Sequence, residues 1–242
     1  MCIHYRATYL EPGGFAEVFR VPAWNVRHNG VLKLPSSVSF EQGSFIEPAA
    51  CCLRALRRAN VRAKSDALVA GAGPTGLLFL QMLPGFGAER VYMSEVSGYR
   101  RKFAADLGAD RVWDPRASDV GAEVRARTRT RGVDLAVVAS GHPDAIVQAL
   151  RSVRAGGTVV LFGVPETGSR LDFDVSELVT REVSIVPSNA ATEVETRAAL
   201  DMIAKRAIDV DVLVTHRFPL SRFGDAVASA ARAECVKALL TP

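Results

Sequence analysis

From Lys64-Ser65-Asp66 onward, short apolar runs alternate with stretches of helical periodicity, the rhythm of parallel strands joined by crossover helices. Strands are predicted at Ala67–Ala70, Arg90–Ser94, Arg111–Trp113, Asp134–Ala139, Thr158–Phe162 and Val183–Val186. Helices are predicted at Pro74–Leu83, Tyr99–Leu107, Val120–Arg127 and Pro143–Val153, with an amphipathic stretch from Glu193 to Arg206. Right-handed crossovers then place helices on both faces of a doubly wound parallel sheet, an α/β fold. The leading part reads differently. Gly14 to Val31 alternates apolar and polar residues before Pro22, Asn29 and Gly30 break it, which predicts strand and turn. Ser39 to Asn60 has helical spacing behind a cap at Ser39, interrupted or bent around Glu47-Pro48, because proline disfavours helix at the residue before it.

The first strand of the alternating region runs straight into chemistry. In D-A-L-V-A-G-A-G-P-T-G-L-L an apolar strand leads into G-x-G-x-x-G and then into a helical pattern. Gly71 permits the tight turn, Gly73 removes the side chain where a pyrophosphate approaches, and Gly76 lets helix and strand pack closely. Pro74 suits an early helical position, since the N–H it lacks would be unpaired there, and Thr75 follows it. The free N–H groups and positive dipole end of that helix would face the diphosphate of a dinucleotide in a Rossmann domain. At the end of the next strand stands Glu95, whose carboxylate can accept from both adenosine ribose hydroxyls and repel a 2′-phosphate. That favours NAD over NADP, whereas Arg100 and Arg101 nearby could accommodate the phosphate. Ligands of doubly wound sheets bind beyond the carboxyl ends of the strands, which nominates Ser140 and Gly141, and Phe162, Gly163 and Val164, for the nicotinamide side. Gly141 and Gly163 can equally be turn glycines.

Composition narrows the class. No window approaches the roughly 18 unbroken apolar residues of a membrane span, and Met1 to Leu10 hold no apolar signal region, so a cytoplasmic protein with no membrane partner is expected. The net charge is +4, but the basic residues are spread among nearly as many acids and 25 of the 30 are arginine. No basic stripe stands out, so nucleic acid is not an expected partner. Cys2, Cys51, Cys52 and Cys235 form no C-x-x-C pair, and buried thiols are expected rather than a disulfide framework.

The segments G-G-F-A-E-V-F-R-V-P, L-P-S-S-V-S-F, F-I-E-P-A-A-C, V-A-G-A-G-P-T-G-L-L, L-G-A-D-R-V, A-G-G-T-V-V-L-F-G and H-R-F-P-L, in this order, cover nearly all the chain. Together they resemble the zinc-dependent medium-chain alcohol and polyol dehydrogenases, including the sorbitol and threonine dehydrogenase branches. The resemblance implies an NAD-dependent oxidoreductase acting on a small alcohol or polyol as a homodimer or homotetramer. It also implies a β-rich, GroES-like catalytic domain interrupted by the nucleotide-binding domain: 1–60 as a partial catalytic domain, 61–190 as the Rossmann domain, and 191–242 as the return. Glu47 in F-I-E-P-A-A matches a position that supplies a zinc ligand or a near neighbour of the metal, and it can equally be a capping or salt-bridged helix carboxylate. The zinc-binding cysteine and G-H-E segment of that family occur nowhere in the 242 residues. Cys2 matches at most the last cysteine of the structural zinc lobe, and His4, His28, His142 and His216 are scattered. The expectation is therefore a dehydrogenase lacking its N-terminal catalytic segment here. Its zinc would not be retained, no catalytic residue is assigned, and a silent NAD-binding or dimerisation module is the alternative. Proline in Leu83-Pro84-Gly85 should also end the first Rossmann helix early.

Overall fold

The computed structural model describes residues 10–242, so Cys2 and His4 lie outside the described residues. The chain forms two compact units, one from the described part of Met1–Phe45 together with Leu200–Pro242, the other from Ile46–Ala199. A discontinuous unit interrupted by a continuous one is the arrangement the resemblance implies, but the continuous unit extends beyond the expected 61–190 at both ends.

In the discontinuous unit the leading segment forms two short helices, α1 (Ala23–Arg27) and α2 (Phe40–Gly43). Ser39 caps α2 as expected, its hydroxyl accepting from the Gln42 N–H while the Gln42 side chain accepts from the Ser39 N–H. The strand expected between Gly14 and Val31 is not found. Only an isolated antiparallel bridge, Glu11 to Arg20, appears there. An alternating sequence becomes a strand only when a neighbour accepts its backbone bonds, and among the described residues none runs beside it.

The continuous unit opens with α3 (Ile46–Ala59), which the sequence reading had placed with the leading segment. The break expected near Glu47-Pro48 falls at Ser44-Phe45, which leaves proline in the first turn of α3, where its missing N–H costs nothing. Then follow β1 (Ser65–Ala70), α4 (Pro74–Met82), β2 (Ala88–Ser94), α5 (Gly98–Asp106), β3 (Arg111–Trp113), α6 (Val120–Arg127), β4 (Val133–Val138), α7 (Pro143–Ser152), β5 (Val153–Leu161), α8 (Ser176–Thr180) and β6 (Ser184–Pro187). Helix α9 (Glu193–Ala204) carries the chain back to the first unit, where β7 (Val214–Pro219) and β8 (Lys237–Thr241) pair in parallel beside α10 (Phe223–Ala231).

The six strands of the continuous unit are all parallel, in the order β3-β2-β1-β4-β5-β6, the dinucleotide-binding order. Every residue of central β1 is buried, as a strand covered by helices on both faces requires, while at edge β6 Ser184, Ile185 and Pro187 are exposed. On one face Val120, Val124, Ile146, Ala149 and Leu150 of α6 and α7 pack on Leu68, Ala136, Val138 and Val159 of the sheet. As Pro84 predicts, α4 stops at Met82, and a 3₁₀ turn over Leu83–Phe86 leads to Gly87 at φ +99°.

The amino ends of four adjacent strands are stitched by charge. Asp66 on β1 receives two guanidinium bonds from Arg90 on β2, both 2.7 Å. Asp134 on β4 accepts from the Asp66 backbone N–H at 2.9 Å and from Arg154 on β5 at 2.6 Å, with Arg131 at 3.2 Å. Burial works to raise the Asp134 pKa, but the Arg154 bond, the Asp66 N–H and the two nearby guanidinium charges outweigh it, and the net shift is downward. Because folding lowers this pKa, the stabilisation is complete above the unfolded carboxylate value of about 3.9 and drains away as pH falls below it. Asp134→Asn should cost about 2 kcal/mol at pH 7, or roughly 4–8 °C in Tm. Thermal melts should show that deficit shrinking between pH 5 and pH 2.5; a deficit equal at both ends would rule out the ionised pair as its source.

Candidate functional site

The glycine loop and the acid after β2 meet at the opposite, carboxyl ends of the strands. There β1 hands over to Gly71 at φ +107°, a conformation that a side chain would strain, and the Gly71 N–H donates to the Ser94 carbonyl at 2.8 Å. A Cβ on Gly76 would lie 2.0 Å from the Gly71 carbonyl oxygen, so the first turn of α4 rests directly on the loop backbone. Gly73 caps α4 with Pro74 as its first helical residue. A Cβ at Gly73 would meet nothing closer than an Arg100 guanidinium nitrogen at 3.9 Å. Space at that glycine is therefore kept open toward the cleft rather than filled by protein, which is the fit a diphosphate requires.

The cleft has a volume of about 1060 Å³ and lies wholly within the sheet unit. Of the residues singled out in the sequence it is lined by Gly71, Gly73, Glu95, Arg100 and Ser140. Pro74, Thr75 and Gly76 stand behind the loop and shape it. Glu95 is not a solvated surface charge: it is 8% exposed. One of its carboxylate oxygens accepts from the Ala72 N–H and the other from the Ser97 N–H, both at 2.8 Å. The acid thereby ties the glycine loop to the start of α5 while facing the cleft. Arg101 is turned away to the Glu95 and Val96 carbonyls and Asp114.

The nicotinamide-side residues are arranged otherwise. Gly141, Phe162, Gly163 and Val164 do not line the cleft. A Cβ on Gly163 would fall 2.3 Å from the Ser140 carbonyl oxygen, and one on Gly141 2.8 Å from that of Val164, so both glycines are demanded by a crossing of two backbones. Phe162 packs edge-on against Phe79, centroids 4.9 Å apart. The cleft runs instead toward α6 and α7, past Arg116, Asp119, His142 and Gln148, which the motif reading missed. Asp119 and His142 each had a sequence signal, the position before a predicted helix, and each caps it: the Asp119 carboxylate accepts from the Ala122 N–H and the His142 ring nitrogen from the Asp144 N–H.

Glu47 sits exposed in the first turn of α3 and accepts a bond from the Cys51 thiol at 3.1 Å. Burial, and then that bond, push the Cys51 thiol up to about 12, so it stays protonated and holds to the carboxylate as a donor. Among the described residues no group of three His, Cys, Asp or Glu side chains could hold a metal ion. The described residues therefore hold no donor set from which a zinc step could be derived.

The two glycines make opposite demands. Gly73→Val should leave the melt within about 3 °C of wild type while weakening dinucleotide binding at least a hundredfold, because its side chain enters only the open cradle. Gly76→Val should instead destabilise the domain by about 3 kcal/mol or more, since helix and loop must part. Cofactor titration paired with melting separates them; retained binding in Gly73→Val would show the open glycine to be a turn and nothing more.

A family model for zinc-binding dehydrogenases matches residues 74–205. The chain is 32% identical to (R,R)-butanediol dehydrogenase of Bacillus subtilis, over 85% of its own length and 60% of that protein. It is 33% identical to sorbitol dehydrogenase of Gallus gallus, over 86% of its own length and 58% of that protein. Among solved structures, a zinc-binding dehydrogenase from Sinorhizobium meliloti 1021 bound to NADP superposes with a TM-score of 0.85 and 31% identity, over 95% of this chain and 66% of that one. The chain thus spans about three fifths of the length of these two curated relatives. With the glycine loop, the acid after β2 and the strand order of its sheet, the chain belongs to the zinc-binding dehydrogenase family.

Proposed function

We propose that the cleft at the carboxyl ends of the strands holds the adenosine and diphosphate of NAD, and that the chain is the cofactor-carrying part of an alcohol or polyol dehydrogenase. The observation that carries this is the open space at Gly73 beside the N-terminus of α4, with the Glu95 carboxylate buried at the same opening. When bound, the nicotinamide ring supplies the acceptor for hydride from a secondary alcohol. The protein's contribution is to bind and orient: N–H groups of α4 for the diphosphate, Arg100 beside Gly73 for its charge, and Glu95 for the ribose hydroxyls. Ser140 lines the same cleft, while Gly141, Phe162, Gly163 and Val164 pack outside it.

A second reading is favoured by the donor set. A catalytic zinc needs about three protein ligands with one position open to substrate, and Glu47 is the single family-matched donor among the described residues, already bonded to Cys51. On that basis the 242 residues serve as an NAD-binding module, with Glu47 contributing to a metal site only alongside ligands supplied from elsewhere. No helix among the described residues is long and apolar enough to cross a membrane.

Self-association through β6 fits the same sheet. Its outer edge offers unpaired backbone groups, and Val164, Leu171, Val175, Val179 and Ile185 in the neighbouring segments are all exposed, up to 78% for Val164. A second copy pairing edge to edge covers both at once, a two-fold arrangement.

Two outcomes are expected. Fluorescence titration should give NADH at least about tenfold tighter binding than NADPH, because the Glu95 carboxylate repels a 2′-phosphate. Binding of neither cofactor would end the dinucleotide reading, and equal affinities would end the preference. Light scattering at micromolar concentration should report a dimer, which Ile185→Lys shifts toward monomer by placing like charges across the paired edges; monomeric wild type would exclude the β6 interface.

A further inference from the structure

Asp114 follows β3 directly and does not line the cleft, yet it organises one side of it. Its carboxylate holds Arg101 at 2.9 Å and engages Arg116 twice, Nε to one oxygen at 3.1 Å and Nη2 to the other at 3.0 Å. Between these partners the side chain is only 18% exposed. The Arg116 contacts, aided by the charge of Arg101, hold its carboxyl down to about 2, so it is anionic at any working pH. The two guanidinium groups also reach the turn between β2 and α5. Arg101 donates to the Glu95 and Val96 carbonyls at 2.9 and 2.7 Å, and Arg116 donates to the Val96 carbonyl at 2.6 Å. Glu95, Val96 and Arg116 line the cleft, and Arg116 responds to the charge of Glu95.

Around this turn the charges pair, with Arg100 standing apart beside Gly73. Two carboxylates, Glu95 and Asp114, face two guanidinium groups, Arg101 and Arg116. An arginine at this end of a dinucleotide site is the ordinary means of accepting a 2′-phosphate. Here two arginines stand beside the acid that would meet the ribose, and both are already engaged by the same carboxylate.

We infer that Asp114 is a specificity-determining positioning residue: by engaging Arg101 and Arg116 it keeps both guanidinium groups from a 2′-phosphate and leaves Glu95 to select the unphosphorylated ribose. The inference rests on the dinucleotide reading of the cleft. It reaches beyond that reading because the selecting acid alone does not secure the preference; a second acid, outside the cleft, withholds the competing cations. Arg116 is the mobile member. It already lines the cleft with its side chain 67% exposed, and once Asp114 no longer engages it the guanidinium is free to turn to a phosphate there.

The test is titration of the full chain with NADH and NADPH, alongside thermal melts, for wild type, Asp114→Asn, Asp114→Glu and the double variant Asp114→Asn/Arg116→Leu. Asp114→Asn is expected to narrow the NADPH-to-NADH ratio of Kd values about tenfold, chiefly by tightening NADPH. Asp114→Glu should restore the wild-type ratio, and adding Arg116→Leu should remove the gain. Asp114→Thr, which keeps one acceptor without the charge, reads the same ratio if the asparagine variant fails to melt as a folded domain. Should wild type bind NADH while these variants leave the ratio unmoved, or weaken both cofactors by the same factor, Asp114 is a structural brace and the inference falls. Wild type that binds neither cofactor overturns the dinucleotide reading itself, and this inference with it.

Discussion

The contact on which the site depends is one of backbone against backbone. The Gly71 carbonyl occupies the space where any side chain at position 76 would begin, which brings the first turn of α4 onto the end of β1. Every later feature of the cleft follows from that closeness. It aims the free N–H groups of α4 across the carboxyl end of the sheet, and it leaves the space at Gly73 opening outward. It also puts the Ala72 N–H within reach of Glu95, so the acid after β2 can hold the loop and face the cleft with one carboxylate. A second backbone crossing, Gly163 over Ser140, closes the far side in the same manner.

The two ends of the sheet are secured by different physics. At the amino ends, Asp66, Asp134 and their arginines knit β1, β2, β4 and β5 through charge-assisted bonds whose carboxylates are well covered and whose guanidinium groups reach solvent. At the carboxyl ends glycine contacts and main-chain bonds shape the opening, and the charged cluster of Asp114 with Arg101 and Arg116 stands to one side of it. The polar groups that do stand at the opening are each tethered from behind: Glu95 by two N–H groups, Arg116 by Asp114, and His142 by its position ahead of α7. Tethering costs side-chain entropy during folding rather than when a ligand arrives, which is what preorganises a site.

Much of this was legible in the sequence because it depends on local constraints. The order of strands and helices followed from apolar periodicity, with Arg111–Trp113 and Val120–Arg127 placed to the residue and the early stop of α4 foretold by Pro84. The glycine loop was legible because strand, motif and helix stand in one continuous segment. What sequence could not supply were encounters between segments far apart. That Gly141 and Gly163 belong to a backbone crossing needs the register of β4 against β5. That Arg101 faces away from the cleft needs Asp114, thirteen positions on and beyond another strand. The strand expected over Gly14 to Val31 failed for the same reason, since alternation states a preference that only a neighbouring strand can satisfy.

The charge arrangement at the β2–α5 turn shows why a motif underdetermines selectivity. An acid nineteen residues beyond the last loop glycine, followed by two arginines, is a contradictory signal when read as a string. In three dimensions the contradiction resolves, because each arginine has a distinct destination. Arg100 stands beside Gly73, where on the proposed reading a diphosphate would pass and a positive charge would serve either cofactor. Arg101 is spent on main-chain carbonyls and Asp114, and the unheralded Arg116 arrives from the loop after β3 to share that carboxylate. On the proposed reading, the discriminating quantity would be the net field at the ribose end, set jointly by groups at the end of β2, on α5 and on the β3–α6 loop. An acid inside a cleft selects against a phosphate only as strongly as the surrounding cations are kept occupied.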